Sequence, residues 1–308
     1  MSQKQIVFNI SAIAGLRKLW SYTKGDYRIC IAILDAPVDR SHPSLIATEL
    51  TTVKTLVSNS NQRGVASQHG THIASVIFGQ HNSSIQGIAP NCRGLIAPIF
   101  TENINGTLAP CSQIDLARAI LQAVQQGANI INISGGQLTP SGEAYPILAD
   151  AVRYCQENNV LIVAAAGNEG CNCLHIPGAL PSVLAVGAMD SRGRPLDFSN
   201  WGDRYQTQGI LAPGENILGA IPGSTVVSSG TSYATPIVSG IAALLLSLQL
   251  KQGQKPNPHA VRAALLKSAI TCEEQPIPDC RRLLGENIGF VSPGAARSNF
   301  AFFTPFLS

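Results

Sequence analysis

Four residues of this 308-residue chain have the types and settings needed to cleave an acyl bond: Asp35, His69, Asn168 and Ser232. Ser232 lies in Ser228-Ser229-Gly230-Thr231-Ser232-Tyr233-Ala234-Thr235-Pro236, ahead of an apolar run at 237–250. Proline is tolerated in a first helical turn, so the pattern predicts a helix starting here. It should stop at Lys251-Gln252-Gly253, a cationic last turn with a glycine C-cap. The run reads as too short for a bilayer and suits a buried core helix. A serine at its start would face unpaired N–H groups and the positive end of the dipole, which favours chemistry that builds an oxyanion. An N-cap role fits the same serine.

The other three residues also carry two readings each. Asp35 ends the apolar run 28–34, at the carboxyl end of a strand, where open α/β sheets bind ligands. The Ala36-Pro37 that follows also allows a simple turn. His69 and His72 lie three residues apart in Gln68-His69-Gly70-Thr71-His72, read as a helix N-terminus. A metal pair would need the glutamate of H-E-x-x-H, which is missing, so His69 reads as a base and His72 as a buttress. Asn168, in Gly167-Asn168-Glu169-Gly170, can donate to an oxyanion or make an ordinary turn. Together the four supply a nucleophile, a base, its orienter and an oxyanion donor.

The elements that must position them alternate. Residues 28–34, 128–133, 160–166 and 183–188 are apolar throughout, the pattern of parallel strands covered on both faces. Between them, 115–126 is amphipathic and 144–158 reads as a further helix; 11–26 reads as a short surface helix and 83–99 as a turn leading to a strand. This alternation predicts an α/β fold, a mostly parallel sheet with helices on both sides.

Composition excludes other classes. At 45% hydrophobic and 13% charged the chain has a substantial core and no disordered character. A net charge of +3 is too mild for nucleic acid or a membrane surface. No signal-peptide pattern opens the chain, which predicts a cytoplasmic protein. Of eight cysteines, Cys171 and Cys173 form the only tight pair, without zinc-ligand spacing. Most are expected to be reduced, packed thiols, with a bridge between Cys272 and Cys280 possible under oxidation.

The order Asp…His…Ser is that of subtilisin, and the sequence resembles the subtilisin-like serine protease (subtilase) family. The resemblance rests on Ile33-Leu34-Asp35, His69-Gly70-Thr71-His72, Ala165-Ala166-Gly167-Asn168 and Gly230-Thr231-Ser232-Tyr233-Ala234-Thr235-Pro236. Supporting matches are Ser41-His42-Pro43, Ile88-Ala89-Pro90, Phe198-Ser199-Asn200 and Ala212-Pro213-Gly214. It implies a three-layer α/β/α sandwich and peptide hydrolysis through an acyl-enzyme. Ser232 would attack, His69 would carry the proton, Asp35 would orient His69, and Asn168 would bind the oxyanion. Ile133, Ser134, Gly135 and Gly136 match the edge that pairs with substrate backbone, and Glu169 matches a rim position of the specificity pocket.

Departures narrow this resemblance. Asp35-Ala36-Pro37 replaces the usual Asp-Ser/Thr-Gly, and the segment at Ser134-Gly135-Gly136 is one residue tighter than usual. Ser44 stands where the family's tight calcium site has aspartate, and the loop 80–87 is neutral, so no tight calcium and no cofactor are expected. Residues 1–27 are too few for a folding pro-domain, which predicts an intracellular enzyme. Arg17-Lys18-Leu19-Trp20, Tyr22-Thr23-Lys24-Gly25-Asp26 and Asp35-Ala36-Pro37-Val38-Asp39 resemble cyanobactin maturation proteases of the PatA type. These cut a ribosomal precursor peptide before its core. Their macrocyclising sisters carry a helical cap between Asp and His, which residues 36–68 lack in sequence. The expected organisation is an extension at 1–27, a protease domain at 28–296 and a tail at 297–308. A housekeeping subtilase shares all this chemistry, whereas a non-catalytic peptide-binding relative would need a lost triad residue.

Overall fold

The apolar run ahead of Asp35 forms strand β1 (Cys30–Asp35), buried at every position. Its alternate side chains enter different layers: Ile31 and Ile33 join one core, and Cys30, Ala32 and Leu34 the other. A strand buried this way needs apolar residues on both faces, which is why the sequence shows a continuous run. The structure, a computed structural model, describes residues 7–55, 57, 64–103, 108–269 and 289–290. The proposed tail at 297–308 and the Cys272–Cys280 pair lie outside them.

After a 3-10 turn (Ile10–Ala12) and α1 (Leu16–Tyr22) come β1, β2 (Leu50–Thr52), α2 (Val65–Phe78) and β3 (Arg93–Pro98). A small ribbon, β4 (Thr101–Glu102) and β5 (Leu108–Ala109), leads to α3 (Gln113–Gln125), β6 (Ile130–Ile133), β7 (Gln137–Thr139) and α4 (Pro146–Glu157). Next are β8 (Leu161–Ala165), β9 (Leu174–Ile176), β10 (Leu184–Met189), α5 (Asp203–Gln208) and β11 (Gly209–Pro213). The hairpin β12 (Ile217–Ile221) and β13 (Ser224–Ser228) precedes α6 (Thr231–Lys251), α7 (Pro258–Ser268) and β14 (Gly289–Phe290).

One sheet runs β14-β11-β10-β8-β6-β1-β3-β2, every neighbouring pair parallel. The expected α/β/α sandwich is therefore present. Helices α2 and α6 supply residues such as Ile73, Ile77, Ile237 and Leu244 to one core, and α3 and α4 supply Leu116, Ile120, Leu148 and Val152 to the other. From β1 the chain builds outward to β3 on one side and to β6 and β8 on the other. The order therefore switches beside β1, and the crevice for a ligand opens at the carboxyl ends of β1 and β6. Asp35 and Ile133 end those two strands.

Three local expectations are revised. The 11–26 stretch is not one surface helix: α1 is seven residues long, Ile13, Leu16 and Leu19 are buried, and the Trp20 indole donates to Ile88 O at 2.8 Å. Helix α2 starts at Val65, which places His69 one turn inside rather than at its N-terminus. Helix α6 has 21 residues and is long and apolar enough to cross a membrane, yet it is packed within the core. Pro236 falls in its second turn, so no N–H is available there for the carbonyl of Ser232.

Leu244 of α6 is fully buried. Leu244→Ala should destabilise the fold by about 2–5 kcal/mol, seen as a lower urea midpoint with an unchanged slope.

Candidate active site

Asp35 has no exposed surface. Its Oδ1 accepts from the backbone N–H of Ala36 at 2.7 Å and from His69 Nδ1 at 2.7 Å, which leaves Nε2 as the ring's proton acceptor. Burial lowers the pKa of His69, but the charge of Asp35 and their hydrogen bond outweigh it and leave that pKa above the usual imidazole value. Helix α2 holds the ring here because it lies against the loop leaving β1. A Cβ at Gly70 would collide with the carbonyl of Ala36, and Thr71 Oγ1 accepts from Asp39 N–H at 2.9 Å. Only glycine at position 70 lets the helix approach that closely.

His72 is the expected buttress. It is 1% exposed, and burial, aided by His69, pushes its pKa down to about 3, so it is neutral. Its ring lies 4.4 Å from that of Tyr233, which is 5.7 Å from the ring of His69. Tyr233 thus brings the start of α6, and with it half-buried Ser232, to the catalytic imidazole. Among the described residues Ser232 makes no hydrogen bond to His69. Such contacts are often long without substrate and tighten in the Michaelis complex.

Asn168 is fixed by its oxygen. Oδ1 accepts from Thr231 N–H at 2.8 Å and from Thr231 Oγ1 at 3.0 Å, capping the first residue of α6 from across the site. The amide N–H groups, exposed and without an acceptor among the described residues, are left to bind an oxyanion beside Ser232.

Of the segment expected to form the substrate edge, Ile133 and Ser134 are both buried, with Ser134 Oγ accepting from Asn132 Nδ2 at 3.0 Å. Gly135 and Gly136 follow between β6 and β7, outside both strands. Phe100 covers Gly135: a Cβ there would sit 2.9 Å from the ring. Glu169 is not simply solvated. Its Oε2 accepts from Asn200 Nδ2 at 2.5 Å and stands 2.9 Å from His175 Nε2. Asn200 also accepts from Glu169 N–H at 2.9 Å and donates to Ala166 O at 3.2 Å, clasping the oxyanion loop to β8. Sequence reasoning singled out neither His175 nor any role for Asn200.

Most of the described cysteines are free thiols, as expected, but one bond was not foreseen. Cys171 and Cys173 are bonded across the single intervening Asn172, just past Glu169, while Cys30, Cys92, Cys111 and Cys155 are free. The extended segment folds back on itself there, since Cys171 O accepts from both Cys173 and Trp201 N–H groups. The residues at the family's calcium position do not fit that ion. Ser44 is buried with its Oγ unpartnered, and protein donors take carbonyls of the 80–87 loop: Gln86 Nε2 that of His81 at 3.3 Å, Ser83 Oγ that of Ile85 at 3.0 Å. Among the described residues no group of three or more His, Cys, Asp or Glu side chains is placed to hold a metal.

This fold, with a carboxylate-held histidine whose ring lies 5.7 Å from that of Tyr233, next to Ser232 in the first turn of α6, defines a class, and the sequence agrees: residues 26–295 match the subtilase family, and the chain belongs to it. Within that family it is similar to the prenylagaramide maturation protease PagA, at 56% identity and a TM-score of 0.83 over 92% of this chain and 98% of that one. The patellamide maturation protease PatA is 54% identical, with a TM-score of 0.80 over 91% of this chain and 98% of that one. A thermophilic serine proteinase of Bacillus sp. (strain AK1) is 36% identical over 74% of this chain. The match spans 54% of that proteinase, about half its length.

With the His69 pKa raised, kcat/KM should fall as pH drops through a midpoint above the ordinary imidazole value of 6.5, because the base must be neutral. Asp35→Asn removes the raising influence and leaves burial, so the limb should move below 6.5 while kcat falls by about 10⁴-fold. Asn168→Ala should lower kcat about 100- to 1000-fold with little change in KM.

Proposed function

We propose that this chain is a serine endopeptidase that cuts a ribosomal precursor peptide of the cyanobactin type on the N-terminal side of its core. The observation carrying the chemistry is the buried Asp35–His69 hydrogen bond at the mouth where Asn168 grips the helix bearing Ser232. The similarity to PagA and PatA, over nearly the whole of both solved chains, supports the choice of substrate.

In the forward step Ser232 Oγ adds to the scissile carbonyl as its proton passes to His69 Nε2. The resulting oxyanion takes hydrogen bonds from Asn168 and the N–H of Ser232. Collapse expels the amine, which takes the proton from His69, and leaves an ester on Ser232. Water then repeats the sequence: His69 removes its proton, the carbonyl is attacked, and Ser232 leaves as the alcohol. Asp35 keeps Nδ1 as the donor throughout.

Hydrolysis rather than macrocyclisation is favoured by the open approach. Among the described residues no helix lies between Asp35 and α2 to shield the ester from water. The buried Ser44 and the self-satisfied loop at 80–87 support a reading without tight calcium or cofactor. The proposed setting is cytoplasmic, with the precursor peptide as partner and no nucleic acid or membrane.

Incubation with a cyanobactin-type precursor, followed by intact-mass spectrometry, should give one cut before the core and a linear product. Ser232→Ala should abolish it, and EDTA should change neither rate nor Tm. Broad digestion of denatured casein would instead indicate a housekeeping protease, and a cyclic product would contradict the open-site argument.

A further inference from the structure

The loop carrying Asn168 is held by the segment 198–201. Gly170 N–H donates to Phe198 O at 2.8 Å, Asn200 N–H to Gly167 O at 3.1 Å, and Glu169 N–H to Asn200 Oδ1 at 2.9 Å. The last hydrogen bonds of this pairing fall on the two bonded cysteines. Trp201 N–H donates to Cys171 O at 3.1 Å and Cys173 N–H to Trp201 O at 3.1 Å, on either side of the bridge between Asn172 and Trp201. The Cys171–Cys173 bond therefore joins the two residues that anchor the end of this loop to Trp201.

This pair differs from the buried cysteines in access. Cys30, Cys92 and Cys155 are buried free thiols, and burial pushes them up to about 11, 12 and 12, which leaves them inert. Cys171 and Cys173 are half-buried, with exposed Asn172 between them. In the reducing cytoplasmic setting proposed above, permanent disulfides are rare, and those that form serve transient or sensing roles. Accessible disulfides are also the more readily exchanged ones.

Building on the protease reading above, we propose that the Cys171–Cys173 pair is a redox switch on the oxyanion loop, fast when bonded and slow when reduced by a dithiol protein. A thiolate of the dithiol attacks one sulfur of the pair, which breaks the bond, frees the other cysteine and forms a mixed disulfide. The second thiol of the reductant then displaces the remaining cysteine and closes the reductant's own disulfide. Two electrons and two protons pass to the pair, leaving two thiols. Residues 171–173 regain chain freedom, and their half-exposed hydrogen bonds to Trp201 compete with water. Asn200, beside Trp201, grips Glu169 and Ala166, so loosening at Trp201 passes to the Asn168 loop.

The test titrates the whole chain with mixtures of reduced and oxidised dithiothreitol, and alkylation with peptide mass spectrometry reads the state of Cys171 and Cys173. Cleavage of a cyanobactin-type precursor and fluorophosphonate labelling of Ser232 are timed on the same samples. Reduction should lower kcat about tenfold with little change in KM, less than the ~100- to 1000-fold cost of losing the donor itself, and reoxidation should restore it. The double variant Cys171→Ser/Cys173→Ser should keep the slow rate and ignore dithiothreitol. In Asn168→Ala protein, reduction should change kcat no further. An unchanged kcat in fully reduced wild type overturns the proposal, as does a pair that dithiothreitol reduces only in urea. So does a double variant that cuts at the oxidised rate, or a reduction effect that persists in Asn168→Ala protein. Failure to cut the precursor in either state counts against the protease reading, and labelling of Ser232 then decides the switch: slower labelling on reduction sustains it, and equal rates or no labelling overturn it.

Discussion

A carboxylate with no exposed surface is tolerable only when its charge is answered on the spot, and Asp35 meets that condition through His69. That single interaction sets the layout around it. Strand β1 must end where the charge sits, so the apolar run stops at residue 35 and the chain turns at Ala36-Pro37. Helix α2 must approach the turn closely enough to deliver an imidazole, which only a glycine at position 70 permits. The crevice itself comes from topology, since the sheet order switches beside β1 and leaves the carboxyl ends of β1 and β6 open. Parallel pairing thus explains where the crevice opens, and the buried charge explains why Asp35 and His69 are held together there.

The other half of the site is organised by the first turn of α6. A helix N-terminus leaves N–H groups unpaired, and Asn168 answers one of them from another strand end, at Thr231. The same contact occupies the amide oxygen and leaves its N–H groups without an acceptor among the described residues. Asn200 then ties the Asn168 loop to the carbonyl of Ala166, and Tyr205 ties His175 of β9 to the same carbonyl, so both segments are anchored at the end of β8. His72 and Tyr233 complete the arrangement as uncharged rings packed beside the base, with burial keeping a second imidazolium away from His69.

Much of this was legible in the sequence because it depends on local rules. Continuous apolar runs marked β1, β6, β8 and β10, and the residues ending them marked the catalytic mouth. What escaped depended on contacts distant in sequence. His175 lies in Leu174-His175-Ile176-Pro177, which gives no sign that the ring sits between Gly136 and Gly167. Asn200 was visible as part of a family motif, but its clasp on Glu169 needs the loop at 198–201 to fold against 169–173. The start of α2 was misplaced because Gly64-Val65-Ala66 lacks a side-chain cap, and the length of α6 because Pro236 is accommodated in a second turn. The Cys171–Cys173 bond was missed because adjacency in sequence does not reveal backbone folded back on itself.

The central claim is that Ser232 is a nucleophile activated by the Asp35–His69 pair. Its most direct test is the site and pH dependence of labelling by a fluorophosphonate, read by peptide mass spectrometry. The account predicts a single adduct on Ser232, formed at a rate that falls as His69 protonates and lost in His69→Ala. An adduct on another residue, or labelling of Ser232 indifferent to His69, would contradict it.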